Sequence, residues 1–184
     1  MFGSGPSLRR ARGLAALTLC ASLGLGLSCG DPEDPGEDPE AVLATSVAFA
    51  SELERLDIDL VPSQHLDSMS TAAIWATPEA AELFRTLDPA DIDQKATFPR
   101  GSILVKDVHD IDGMPLDVLT VLAKFEPGYY PAGKDWYFAA IRRDGTIIDN
   151  TAGNGPEVKF CVDCHSMIGS NTDLVIGLPA DQLR

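Results

Sequence analysis

Gly101-Ser102-Ile103-Leu104-Val105-Lys106-Asp107-Val108-His109 reads as a β-strand, and Leu116 to Phe125 reads as the next one. Side chains alternate through both runs, and Asp112-Gly113 supplies the turn between them. Asp135 to Arg142 continues the pattern as a third strand, rich in aromatics. Arg143-Asp144-Gly145-Thr146 then turns the chain into a fourth, Ile147 to Asp149. A period of two sustained from residue 101 to 149 does not suit a helical bundle and predicts an antiparallel sheet.

Upstream the period is helical. Between Ala41 and Leu60 apolar residues recur at Val42, Val47, Phe49, Leu53 and Leu56, with Glu52 and Arg55 between them. Thr77-Pro78-Glu79 predicts a second helix: a capping threonine, proline at the first helical position and an acid in the first turn. It should run to about Leu87, bury Leu83 and Phe84, and break at Leu87-Asp88-Pro89. Helices early and an antiparallel sheet late predict an α+β fold in one domain, residues 41–184.

The chain upstream of this domain has two different characters. Arg9, Arg10 and Arg12 precede a short apolar run from Leu14 to Leu27, too short to span a bilayer comfortably, so residues 1–28 read as an export signal. The run ends Leu25-Gly26-Leu27-Ser28-Cys29, which resembles a bacterial lipoprotein box with Cys29 as the lipid-bearing residue. Simple cleavage of the signal is the alternative. Residues 29–40 follow as an acidic, proline-rich tether, unable to bury apolar area and suited to holding a domain off a membrane. A periplasmic, membrane-anchored protein is the expectation.

Fourteen basic residues stand against 28 acidic ones, a net charge of −14, and the first 28 residues hold three arginines and no acid. A domain more negative still excludes nucleic acid as a partner and suits a cationic redox partner or small neutral ligands, though solubility alone would also explain it. An apolar fraction of 45 % is enough for a real core. With two of four cysteines in or beside the leader, no disulfide framework is indicated.

The other two cysteines carry the chemistry. In Cys161-Val162-Asp163-Cys164-His165 the thiols are three apart on one helical turn, and a histidine follows the second. That spacing lets both thiols form thioethers with one haem edge while His165 ligates the iron, making haem c the expected cofactor, one per chain. A redox dithiol, or half of a zinc site completed by His65 and His109, shares the cysteine spacing. The motif sits close to the C-terminal end of the sequence, and Met167, two residues past His165, cannot reach the opposite haem face. An iron open or weakly capped on its far side is therefore expected, fit for small ligands; a plain electron carrier would want a later methionine.

Lys106 shares its strand face with Leu104 and Val108, so either it is a lysine with a task or that face is exposed. Asp107 and His109 lie on the opposite face. His65 falls in a polar stretch and is expected to be exposed. Phe98, Trp75, Phe84, Trp136 and Phe138 are candidates for an apolar wall beside the iron or for ordinary core.

Three segments in order carry a resemblance. Phe98-Pro99-Arg100-Gly101-Ser102-Ile103-Leu104-Val105-Lys106-Asp107, then Asp135-Trp136-Tyr137-Phe138-Ala139, then Cys161 to His165 followed by Asn171-Thr172-Asp173-Leu174-Val175 resemble the cytochrome P-460 family across roughly residues 70–184. The resemblance implies a small, sheet-dominated periplasmic haem c domain with a C-terminal attachment helix, commonly dimeric. It implies that Lys106 stands where the family's enzymes carry a lysine covalently joined to the haem rim, although relatives without the bond keep the lysine. It implies oxidation of hydroxylamine or nitric oxide with electrons passed to an external acceptor. The alternative it leaves is a cytochrome c-prime-beta-like binder of nitric oxide or carbon monoxide.

Overall fold

The computed structural model describes residues 38–65 and 70–184. The expected export signal, Cys29 and the tether up to residue 37 lie outside the described residues. Within them no helix is long and apolar enough to cross a membrane.

In chain order the elements are α1 (Pro39–Val47), α2 (Phe49–Glu52), β1 (Glu54–Arg55), β2 (Val61–Ser63), β3 (Ser70–Ala76), α3 (Pro78–Phe84), β4 (Ile103–Asp110), β5 (Pro115–Lys124), β6 (Trp136–Ile141), β7 (Ile147–Gly153) and α4 (Lys159–Gly169). The seven strands form one antiparallel sheet in the order β1-β3-β4-β5-β6-β7, with β2 also paired to β3. The fold is α+β.

The meander from β4 to β7 follows the alternation read from the sequence, and Gly145 takes φ +89° in the turn between β6 and β7, a conformation that favours glycine. The N-terminal half differs from expectation in two ways. The helix expected over 41–60 is two short pieces and ends at Glu52, because Glu54 and Arg55 pair with Ala76 and Trp75 and Leu56 N–H donates to Ile74 O. Sheet pairing satisfies more backbone here than another helical turn would. At its other end α1 starts at Pro39, so Asp38-Pro39-Glu40 form a cap and first turn rather than tether, with Asp38 Oδ1 accepting Glu40 N–H at 3.0 Å.

The second difference is β3, a central strand that precedes α3. Strands thus interleave with helices instead of following them. The Ser70-Thr-Ala-Ala-Ile-Trp-Ala run has no alternation to read because both its faces are covered, with Ala72, Ala73, Ile74 and Ala76 all buried. The helix α3 falls where the Thr77-Pro78-Glu79 signature puts it and buries Phe84, but Thr77 Oγ1 accepts Ile103 N–H at 3.2 Å instead of capping.

Each face of the sheet carries its own core. On one, Val42 of α1 and Leu53 pack against Ile103, Val105, Leu119, Val121, Tyr137 and Ile141. On the other, Phe84 of α3, Val162 of α4, Phe98 and Leu174 pack against Ile74, Leu104, Trp136 and Phe138. Register places Ile74, Lys106 and Thr120 side by side. Lys106 is therefore on the face that α4 covers, next in line to Leu104.

Candidate functional site

Helix α4 is anchored by its Val162 flank, while an ion pair between Lys159 Nζ and Asp163 Oδ2 at 2.6 Å spans one exposed turn. Cys161 is half-buried and Cys164 exposed, and both are free thiols. Burial pushes the Cys161 thiol up to about 11. A redox dithiol works through a thiol held low, and Cys161 is not held so. Beside the thiols, Phe160, Met167 and Ile168 are 62 %, 77 % and 68 % exposed. An apolar strip left open next to two alkylatable thiols is what the rim of a flat, apolar group would cover.

His165 is held from behind. Its Nδ1 lies 2.7 Å from Leu174 O; a carbonyl only accepts, so Nδ1 carries the proton and Nε2 keeps its lone pair. Fixing one imidazole nitrogen through a backbone carbonyl is the usual way a protein presents the other to a metal. Burial, ahead of the field of Lys106, pushes His165 below the ordinary histidine range. Phe138 stands edge-on to the ring, centroids 6.0 Å apart.

The accepting carbonyl is itself built with care. Asp173 and Leu174 both take positive φ, 59° and 68°, forming a sharp corner after α4. Lys124 Nζ donates to Asp173 Oδ2 at 2.7 Å, Phe98 N–H donates to the same oxygen at 2.9 Å, and Trp136 Nε1 donates to Asp173 O at 2.7 Å. Lys124 also donates to Lys134 O and lies 5.1 Å over the Trp136 ring. Gly169 completes the corner: a Cβ there would stand 2.8 Å from Leu174 C. Asp173, Lys124 and Gly169 thus position the carbonyl that positions His165.

Lys106 points into the same region. Among the described residues its amine makes no hydrogen bond and no ion pair, and it lies within electrostatic reach of Cys164, His65 and His165. Burial pushes its ammonium below the usual lysine range, partly opposed by Cys164. An amine left unpartnered among a thiol and two imidazoles contributes no hydrogen bond or ion pair to the described fold.

His65 corrects the sequence expectation. It is half-buried, not exposed; its ring centroid lies 6.5 Å from that of His165, at an interplanar angle of 46°. Its Nδ1 is 3.1 Å from Ser63 Oγ, at the end of β2. Burial first, then Lys106 and His165, push it down to about 3.

Other candidates are distributed as follows. Phe84, Phe98, Trp136 and Phe138 all lie in the core on the α4 side, and Phe138 meets His165. Trp75 is on the other face, against Phe49 at 5.1 Å. So are Asp107 and His109, bonded to each other at 3.0 Å, with Arg143 paired to Asp107. With His109 across the sheet, one of the two ligands a zinc site would need is out of reach, and no three His, Cys, Asp or Glu side chains among the described residues converge on one point. A surface groove of about 550 Å³ lined by Tyr130, Asn154, Pro156 and Lys159 runs along the opposite flank of α4 and touches none of Cys161, Cys164 or His165.

Sequence reasoning weighed His65 only as an exposed residue or half of a zinc site, quoted Asp173 without giving it a role, and passed over Lys124 and Gly169. Asp173 offered a faint signal, a lone acid just before the apolar Leu174-Val175-Ile176 run. Compared with known proteins, the chain matches no family model and no curated sequence.

Proposed function

We propose that the chain is an exported, c-type mono-haem protein of the cytochrome P-460 kind that oxidises hydroxylamine or nitric oxide. The observation that carries this is the pairing of His165, its Nδ1 committed to Leu174 O and its Nε2 free of any described partner, with the two thiols Cys161 and Cys164 on the same helix. Cys161 and Cys164 would hold the haem edge and His165 the iron. When bound, the haem supplies a redox-active iron able to take electrons from a small nitrogen compound. Around it this chain's residues orient and shelter: Leu174 fixes the imidazole proton on Nδ1, Phe138 walls one side, and Lys106 faces the group with an amine that no described residue engages. The resemblance assigns Lys106 to a covalent link with the haem rim. Electrons would leave to a cationic partner, in keeping with the acidic surface. Cys29 would tie the protein to the membrane on its periplasmic side.

Expression with a working haem-attachment system tests this. Intact mass should show one haem added covalently and a lipid at Cys29, and hydroxylamine should reduce an artificial acceptor. A Soret band shifted to the red in the ferrous state, lost in Lys106→Ala, would identify the link. A colourless exported protein, or a coloured one inert to both hydroxylamine and nitric oxide, overturns the proposal. If nitric oxide binds without turnover, the chain is a binder of the c-prime-beta kind instead.

A further inference from the structure

We infer that His65, through Nε2, is the second axial ligand of the haem iron, on the side opposite His165. This rests on the haem assignment above and deepens it, because it names what stands on the far side of the iron at rest.

Separation carries the inference. Two imidazoles that share one metal ion through Nε2, each at about 2 Å, stand with ring centres roughly 6 Å apart. The His65 and His165 centroids are 6.5 Å apart. A histidine that served only as a proton acceptor would have to stand further off, leaving space for a bound hydroxylamine between ring and iron. Nothing in the spacing provides it.

Both rings are also presented alike. Each has Nδ1 occupied by the protein, His165 by Leu174 O at 2.7 Å and His65 by Ser63 Oγ at 3.1 Å. The Ser63 hydroxyl also accepts the backbone N–H of His65 at 3.3 Å, and it can either give its proton to Nδ1 or take one from it. Among the described residues nothing hydrogen-bonds either Nε2. Neither Nε2 is among the polar atoms sealed from solvent without a partner, so each is open to an incoming group, and an imidazole braced through its other nitrogen is the general way to present a metal ligand. The two rings arrive from separate elements, one past the short strand β2 and one from α4.

A small molecule must then displace His65 to reach the iron. The gate is a residue next to a three-residue strand with a single neighbour, β3, rather than one on the central sheet.

The ferric holoprotein is examined by electron paramagnetic resonance and absorption, as wild type, His65→Ala and Lys106→Ala. Expected are a low-spin wild type, a high-spin His65→Ala protein and return of the low-spin signal on adding imidazole. Carbon monoxide should bind ferrous wild type at a rate that saturates with its concentration, and His65→Ala at least about tenfold faster and without saturation. A high-spin wild type overturns the inference whether or not any variant folds. So does a His65→Ala protein that stays low-spin, in which case loss of that signal in Lys106→Ala would identify the amine as the ligand. Absence of covalent haem by intact mass is a different failure: it removes the haem assignment itself, and this inference with it.

Discussion

Asp173 takes the Lys124 ammonium at 2.7 Å, and the very next carbonyl along the chain holds His165. A buried ion pair is weak evidence of net stability, but removing one partner strands the other charge. Here the pair also sets a backbone corner with two positive-φ residues, which would not hold itself without outside bonds.

Asp173→Ala should therefore destabilise the fold by about 3 kcal/mol or more, read from urea unfolding, because Lys124 stays buried without its carboxylate. Asp173→Asn keeps the acceptor for Phe98 N–H and should lose less. In the holoprotein the same variants should perturb the haem spectrum, although neither residue is a ligand.

Gly169→Ala tests the corner without touching a charge. Its new Cβ would meet Leu174 C at 2.8 Å, with Leu174 Cα and Val175 N each at 3.1 Å, backbone atoms and not the end of a flexible side chain. A loss of about 1 to 3 kcal/mol is expected in thermal unfolding. Amide exchange at Leu174, whose N–H donates to Gly169 O at 2.7 Å, should quicken more than the global loss explains.

In protein made without haem attachment, Lys106 should tie stability to alkaline pH. Its folded pKa is lowered from 10.5, so between the two values the unfolded chain holds a proton that the folded one has released. Stability must rise with pH through that window, up to about 10.5, and the cost of burying the charge is fully present below it. Lys106→Met should flatten the rise and gain roughly 1 kcal/mol at neutral pH. Unfolding midpoints between pH 7 and 10.5 measure both.

Asp107 supplies the contrasting case. It is buried between Arg143 and His109 on the far face of the sheet from Lys106. Asp107→Ala should cost about 3 kcal/mol or more in urea unfolding, yet leave the spin state and the carbon monoxide kinetics of the holoprotein unchanged.

Much of this architecture could be read from the chain. Residues 101–149 alternate because β4 to β7 pair in sequence order, and such local pairing leaves its period in the sequence. Three strands escaped. β1 and β2 have two and three residues, too few to show a period, and the alanine-rich β3 is covered on both faces, which removes the polar half of the pattern. Patterning left Lys106 evenly balanced between two faces, since only the packing of α4 decides which is inward and both turned out to be covered. His65 was misjudged for a related reason. Its neighbours in sequence are polar, but those in space, Lys106 and His165, come from positions 106 and 165. Polar surroundings along the chain say nothing about which distant segments arrive there.

Residues 65 and 165 are a hundred positions apart, and every strand from β3 to β7 lies between them. A metal bond common to both would close a ring around the greater part of the sheet, restricting the unfolded chain as a crosslink does. By chain-entropy counting, a loop of that length is worth about 4 to 5 kcal/mol. Loading with iron would then make the domain markedly harder to pull apart or digest, and each departure of that ligand to admit a gas would loosen it again for a moment.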